Sequence, residues 1–177
     1  MQLNHKKNNT MKNIISILIF IFILSLQIIF AQNSNEIVQY EKYTPCTFSI
    51  SLPVQFKLIN EYPNERIPDF CEYFVKTKVG IEKFFIRSQI TSRAGFENIK
   101  ESYKEKLSEG KYNIVYKIQK DNWFVISGTI KENGNIIYLK KVAGNSFVSV
   151  LYIEYSKSQK NEIEPFLSKI STSFTSQ

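Results

Sequence analysis

The sequence predicts an α+β domain, a three-layer α/β/α sandwich with a central antiparallel sheet. Three observations predict it. From Asn113 to Tyr155 the chain offers four strand-like runs separated only by short turn signals, which makes a meander. The last run, Phe147 to Tyr155, is apolar on both faces, with Val148, Val150 and Tyr152 on one and Phe147, Leu151 and Ile153 on the other, so it needs cover on both sides. Two stretches supply that cover through apolar residues at helical spacing: Phe96, Ile99, Tyr103 and Leu107 in one, Ile163, Phe166, Leu167, Ile170 and Phe174 in the other.

Residues 1–31 read as an export signal. Lys6, Lys7 and Lys12 form a positive region, Ile14 to Phe30 an apolar run, and Ala31 a small residue for signal-peptidase cleavage. Ser16, Ser25 and Gln27 lower the suitability of the run as a permanent span, a retained N-terminal anchor being the alternative, and no cysteine directly follows it, which disfavours a lipoprotein. The three leader lysines carry part of the formal charge of +7, leaving +4 on the mature chain, a balance that favours solubility and does not mark a nucleic-acid binder. What remains is the size of a single domain.

Residues 32–45 are polar and lack an apolar period, which predicts a flexible lead-in, and residues 46–177 are predicted to form the folded domain. Phe48 and Ile50 alternate in a first strand that Pro53 ends, and Phe56 to Leu58 offers a short second one. The stretch from Asn60 to Asp69, with Pro63 and Pro68, predicts a surface loop. Cys71 to Lys78 and Glu82 to Gln89 flank Val79-Gly80 and predict a hairpin. The helix of Phe96 to Ser108 stops at Gly110, its outer face a solvated mixture of Lys and Glu. In the meander, Asn133-Gly134 predicts a type I′ turn, because both central positions of that turn need positive φ. Ser127-Gly128 in mid-strand predicts a bulge or a place where a helix approaches closely. Pro165 is placed near the first turn of the closing helix.

Cys46 and Cys71 are the only two cysteines. In an oxidising compartment an even pair closes into a disulfide, here tying the first predicted strand to the third, with two buried free thiols as the alternative. There is no Cys-x-x-Cys spacing that would point to redox chemistry.

The ordered set Phe48-Ser49-Ile50-Ser51-Leu52-Pro53, Trp123-Phe124-Val125-Ile126-Ser127-Gly128, Ile137-Tyr138-Leu139-Lys140-Lys141 and a closing helix with Pro165, Ile170, Ser173 and Phe174 resembles the PsbP-like superfamily. That superfamily is named for an accessory subunit of the photosynthetic oxygen-evolving complex, and includes the import factor Mog and bacterial envelope proteins of the DcrB type. The resemblance spans almost the whole mature chain. It implies an α/β/α sandwich, largely non-enzymatic roles and partner binding that differs between members. No stretch matches the metal-binding residues of the photosynthetic members.

The chemistry left to the mature chain is narrow. The single histidine, His5, lies in the leader, so Ser-His-Asp and Cys-His arrangements and the commonest zinc sites are excluded by composition, and neither a cofactor nor a metal site is expected. Ser108 and Lys111 have the spacing of a Ser-x-x-Lys pair, but Gly110 interrupts the helix that would align them. Asp69 with Glu72, or Glu61 with Glu65, could serve a small secreted hydrolase if held across a cleft. The meander carries Lys111, Lys117, Lys120, Lys131, Lys140 and Lys141 against Asp121 and Glu132, with Tyr112, Tyr116, Trp123 and Tyr138 among them. From these, Lys117, Lys120, Trp123, Lys131, Tyr138 and Lys140 form a candidate partner-binding patch for a protein, a glycan or an anionic surface in the envelope, against the alternative of core aromatics and edge lysines that discourage aggregation. The function expected is an exported, periplasmic, secreted or cell-surface binding or accessory domain that is not an enzyme. Membrane contact is expected only if the leader is kept, when the chain would be an N-terminally anchored structural protein.

Overall fold

The computed structural model describes residues 38–60, 70–77, 83–90 and 99–177. The expected leader, the loop acids Glu61, Glu65 and Asp69, the Val79-Gly80 turn and Phe96 lie outside them. Among the described residues the fold is mostly antiparallel sheet with two α-helices. Short β3 (Lys57–Ile59), β4 (Phe70–Lys76), β5 (Lys83–Ile90), β6 (Tyr112–Gln119), β7 (Trp123–Ile130), β8 (Ile136–Ala143) and β9 (Phe147–Tyr155) form a seven-stranded sheet in the order β3-β4-β5-β9-β8-β7-β6. β6 to β9 are the expected meander, each strand paired with the next in the chain. β9 also pairs with β5 along its length, from Lys83↔Glu154 to Ile90↔Phe147, which joins the meander to the earlier hairpin.

Alternation then divides β8 and β9 between two apolar clusters. Leu151, Ile153 and Tyr155 of β9 and Val142 of β8 enter a cluster with Phe84 and Ile86 of β5, and with Ile163 and Ile170 of α2 (Lys160–Ser173) followed by Phe174. Val150 and Tyr152 of β9, with Ile137 and Leu139 of β8, belong to a second cluster containing Phe124 and Ile126 of β7 and Ile99, Tyr103 and Leu107 of α1 (Ile99–Ser108). The two-faced apolar character of β9 is thus satisfied by a different helix on each set of residues. No helix among the described residues is long and apolar enough to cross a membrane.

Phe48, Ile50 and Leu52, alternating along β2 (Phe48–Pro53), complete the α2 cluster. β2 is the middle strand of a second sheet, with β1 (Tyr40–Tyr43) on one side and β10 (Thr175–Ser176) on the other. The lead-in expected over residues 32–45 therefore gives way to a strand at Tyr40, and the compact unit begins at Gln39. A strand such as Tyr-Glu-Lys-Tyr gains its order from backbone pairing, which leaves no trace in an apolar period.

Three local expectations change. The Asn133-Gly134 connection is not a type I′ turn, since Gly134 has φ 72° while Asn133 has none of the positive φ that turn demands. Five residues instead link β7 to β8, closed by bonds from the Gly134 amide to the Ile130 carbonyl and from the Ile130 amide to the Asn135 carbonyl. Asn133 acts through its side chain, accepting the Asn135 amide at 3.0 Å. Pro165 lies inside α2 rather than near its first turn, because the helix starts earlier, at Lys160 behind a short 3-10 turn. Gly128 marks a bulge as expected, but its close neighbour is a strand: a Cβ there would overlap the Asn113 carbonyl and the Ile114 backbone on β6, beside a register shift between Ile114 and Tyr116.

Cys46, just before β2, and Cys71, in β4, stand at disulfide distance with Cα atoms 6.7 Å apart, a separation a bridge can span. Closing a loop of sequence separation 25 is worth about 3 kcal/mol in the chain-entropy description, comparable to one well-packed core side chain. Reduction with dithiothreitol, or the Cys46→Ser/Cys71→Ser pair, is expected to lower unfolding stability by about 3 kcal/mol. Urea titration with and without reductant reads this directly, and an unchanged midpoint would remove the bridge from the fold's stability.

Candidate functional site

The sheet separates the six residues of the sequence-derived patch. Register places Trp123 opposite Val142, Val125 opposite Lys140 and Ser127 opposite Tyr138, so Trp123, Tyr138 and Lys140 share the α2 side of β7 and β8. Lys117 pairs with Ile126, whose side chain belongs to the α1 cluster, and so lies on the opposite side. Lys120 sits in the β6–β7 connection and Lys131 in the β7–β8 connection, at opposite ends of β7. The structure brings three of the six together and leaves the other three exposed elsewhere.

The bulge in β6 adds what the sequence reading missed. Ile114 pairs with Gly128 and packs in the α1 cluster, but after the skipped residue Tyr116 pairs with Ser127 and comes to the α2 side, followed by Ile118 opposite Val125. Without the extra residue, Tyr116 would share the side of Ile114. Tyr116, Ile118, Trp123, Val125, Tyr138 and Lys140 then line a groove of about 390 Å³ beneath Ser171 and Thr172 at the end of α2. Val115, the skipped residue, is 85% exposed and Tyr116 52% exposed, side by side on the edge strand of the large sheet.

Lys140 is only 9% exposed, which corrects its reading as a surface cation. Its ammonium donates to the Ser171 carbonyl at 2.6 Å and the Phe174 carbonyl at 3.1 Å, and stands 5.6 Å from the centre of the Trp123 ring. These are carbonyls of the α2 C-terminus, where orphan acceptors and the negative end of the helix dipole favour a cation. Burial pushes the Lys140 pKa below its ordinary value. The Tyr138 hydroxyl shares a hydrogen bond with Ser171, and burial pushes its pKa up. The adjacent Lys141 donates to Ser102 of α1 at 2.7 Å, so successive lysines of β8 fasten the two helices.

A second polar centre escaped the sequence reading. Glu154, the one acid in β9, is 2% exposed and accepts from Asn135 at 2.9 Å, Tyr152 at 3.0 Å and Asn133 at 3.2 Å, with Lys83 at 3.4 Å. Burial drives its pKa up, but these hydrogen bonds and the Lys83 charge outweigh burial and hold it below the usual value. A charged residue inside an otherwise apolar strand was the available signal. Of the acids considered for hydrolysis, Glu72 is held by Arg87 through bonds of 2.8 and 3.2 Å. Ser108 donates to the Glu105 carbonyl, and Gly110 at φ 64° ends the helix before Lys111.

No protein-family model and no curated protein matches the chain. Among solved structures, the chain is similar to cyanobacterial PsbP (CyanoP) from Synechocystis sp. PCC 6803, with a TM-score of 0.50 and 6% identity, over 81% of this chain and 96% of that one. The likeness supports a PsbP-like fold, as the ordered strand and helix residues led us to expect.

Because the folded pKa of Glu154 lies below its unfolded value, its contribution is full above the ordinary carboxyl range and is lost as pH falls through the folded pKa. Glu154→Gln is expected to cost about 1–3 kcal/mol at neutral pH and to flatten the loss of stability on acidification. Urea titrations at about pH 7 and about pH 4 compare the two. Parallel losses in both proteins would show that Glu154 does not carry this pH dependence.

Proposed function

We propose that this chain is an exported, non-catalytic binding or accessory domain of the cell envelope, folded as a three-layer α/β/α sandwich, which meets its partner along β6. The observation that carries the reading is the pair Val115 and Tyr116, two large apolar side chains turned to solvent at the bulge of an edge strand. A bulge and the flanking exposed Lys111, Lys117 and Lys120 are devices that discourage indiscriminate strand addition, so a partner is met through side chains more than through a shared ladder. Adjacent apolar residues kept at such an edge cost solubility and are the composition of a contact.

The leader and a cysteine pair at disulfide distance support an oxidising compartment outside the cytoplasm. The division of apolar residues between an α1 cluster and an α2 cluster supports the layered architecture. The PsbP-like likeness supports the fold and leaves the partner open.

A photo-crosslinking residue at Val115 of the full chain is expected to capture a partner in the native envelope, whereas the same residue at Glu101, exposed on α1, captures none. Equal capture at both positions would sink the β6 assignment. Mass spectrometry of the protein recovered from its own envelope is expected to find the chain starting at Gln32. An intact Met1 in the membrane fraction would establish the anchored form instead.

A further inference from the structure

We infer that the groove between β6, β7, β8 and the end of α2 is a binding site for a small organic anion with a planar ring, held by Lys140 between the walls of Tyr116, Trp123 and Tyr138. This rests on the reading of the chain as a binding domain, but not on the β6 edge as its protein contact.

Lys140 is a buried cation to which no carboxylate is paired among the described residues, and the groove lining contains no Asp or Glu. Its two acceptors are neutral carbonyls at a helix C-terminus, whose dipole amounts to roughly half an elementary charge. Dipoles and the faces of the Trp123 and Phe174 rings, with no formal negative charge, thus surround the ammonium where desolvation is costly, and among the described residues its third N–H meets no acceptor. An anion entering the groove completes that hydrogen-bond set and the charge balance together.

The walls set the shape of the guest. The rings of Tyr116, Trp123 and Tyr138, with Ile118 and Val125 between them, offer apolar and π surface around a single charge, and a volume of about 390 Å³ falls in the range of small-molecule sites. Ser171, Thr172 and Tyr138 line the same groove as the cation. Ser171 and Tyr138 bond each other through one of their two hydroxyl protons, and Thr172 donates to the Ser168 and Lys169 carbonyls, so the charged donor offered to a guest is the ammonium, with one hydroxyl proton beside it. An aliphatic acid would satisfy Lys140 but not the rings, and a neutral aromatic would do the reverse.

Trp123 is the only tryptophan in the chain, so its fluorescence reports on the surroundings of this one ring, and the Tyr116 variant ties the signal to the groove. With protein purified from its native envelope, 4-nitrobenzoate is expected to quench Trp123 saturably with a Kd below about 1 mM, while acetate and methyl 4-nitrobenzoate bind at least about tenfold more weakly. Binding of acetate and of the ester is read by 15N shifts, which do not depend on quenching. Lys140→Gln is expected to lose about tenfold in affinity. Because Lys140 also fastens α2, Tyr116→Ala gives a second reading at a half-exposed ring, with an expected loss of at least about threefold. Lys117→Gln, on the opposite side of the sheet, is expected to bind as the parent does. Absence of saturable quenching, equal binding of the methyl ester, or full affinity in Tyr116→Ala would each overturn the inference. A chain that binds 4-nitrobenzoate yet shows no Val115 crosslink keeps this site and loses only the edge assignment.

Discussion

The fold depends on one constraint, the burial of β9 on both of its sides. A strand with Leu151 and Ile153 on one side and Val150 and Tyr152 on the other cannot lie at an edge or float over solvent. It takes the middle of the sheet, between β5 and β8, and each set of side chains recruits its own helix. Apolar packing alone would let those helices slide. Lys140 and Lys141, adjacent and therefore pointing to opposite sides of β8, pin α2 through its terminal carbonyls and α1 through Ser102. The same alternation that divides the core also divides the fastenings.

The meander was legible because its connections are short and its turn residues stand between apolar runs. The β5–β9 pairing was not, since nothing local in Lys83–Ile90 says which distant strand lies beside it. β1 and β10 were invisible for a different reason: they are ordered by main-chain bonds to β2, and polar residues serve that purpose as well as apolar ones. Asn133 misled because its type suits positive φ, while its side chain is engaged instead by the Asn135 amide and Glu154. Propensity describes a residue alone, and here the partners decided.

The site was half legible for a related reason. Strand periodicity is enough to put Tyr138 and Lys140 on one side of β8, but which β7 residues oppose them depends on register, and the position of Tyr116 depends on a one-residue bulge. Gly128 hinted at the bulge without saying on which strand it lay. Counting lysines along the meander overlooked that one of them is buried against a helix end, where its charge serves the interior first.

The small sheet has a consequence for the order in which the chain can close. β2 receives one neighbour from residues immediately before it and the other from Thr175 and Ser176, with the Gln177 amide bonded back to the Thr47 carbonyl. A polypeptide delivered from its N-terminus therefore cannot finish this seam until Thr175 to Gln177 have emerged, and the loop it must close is nearly the length of the domain. Completion is a late event, and a chain threaded through a narrow passage keeps this seam unlatched until Thr175 to Gln177 are through.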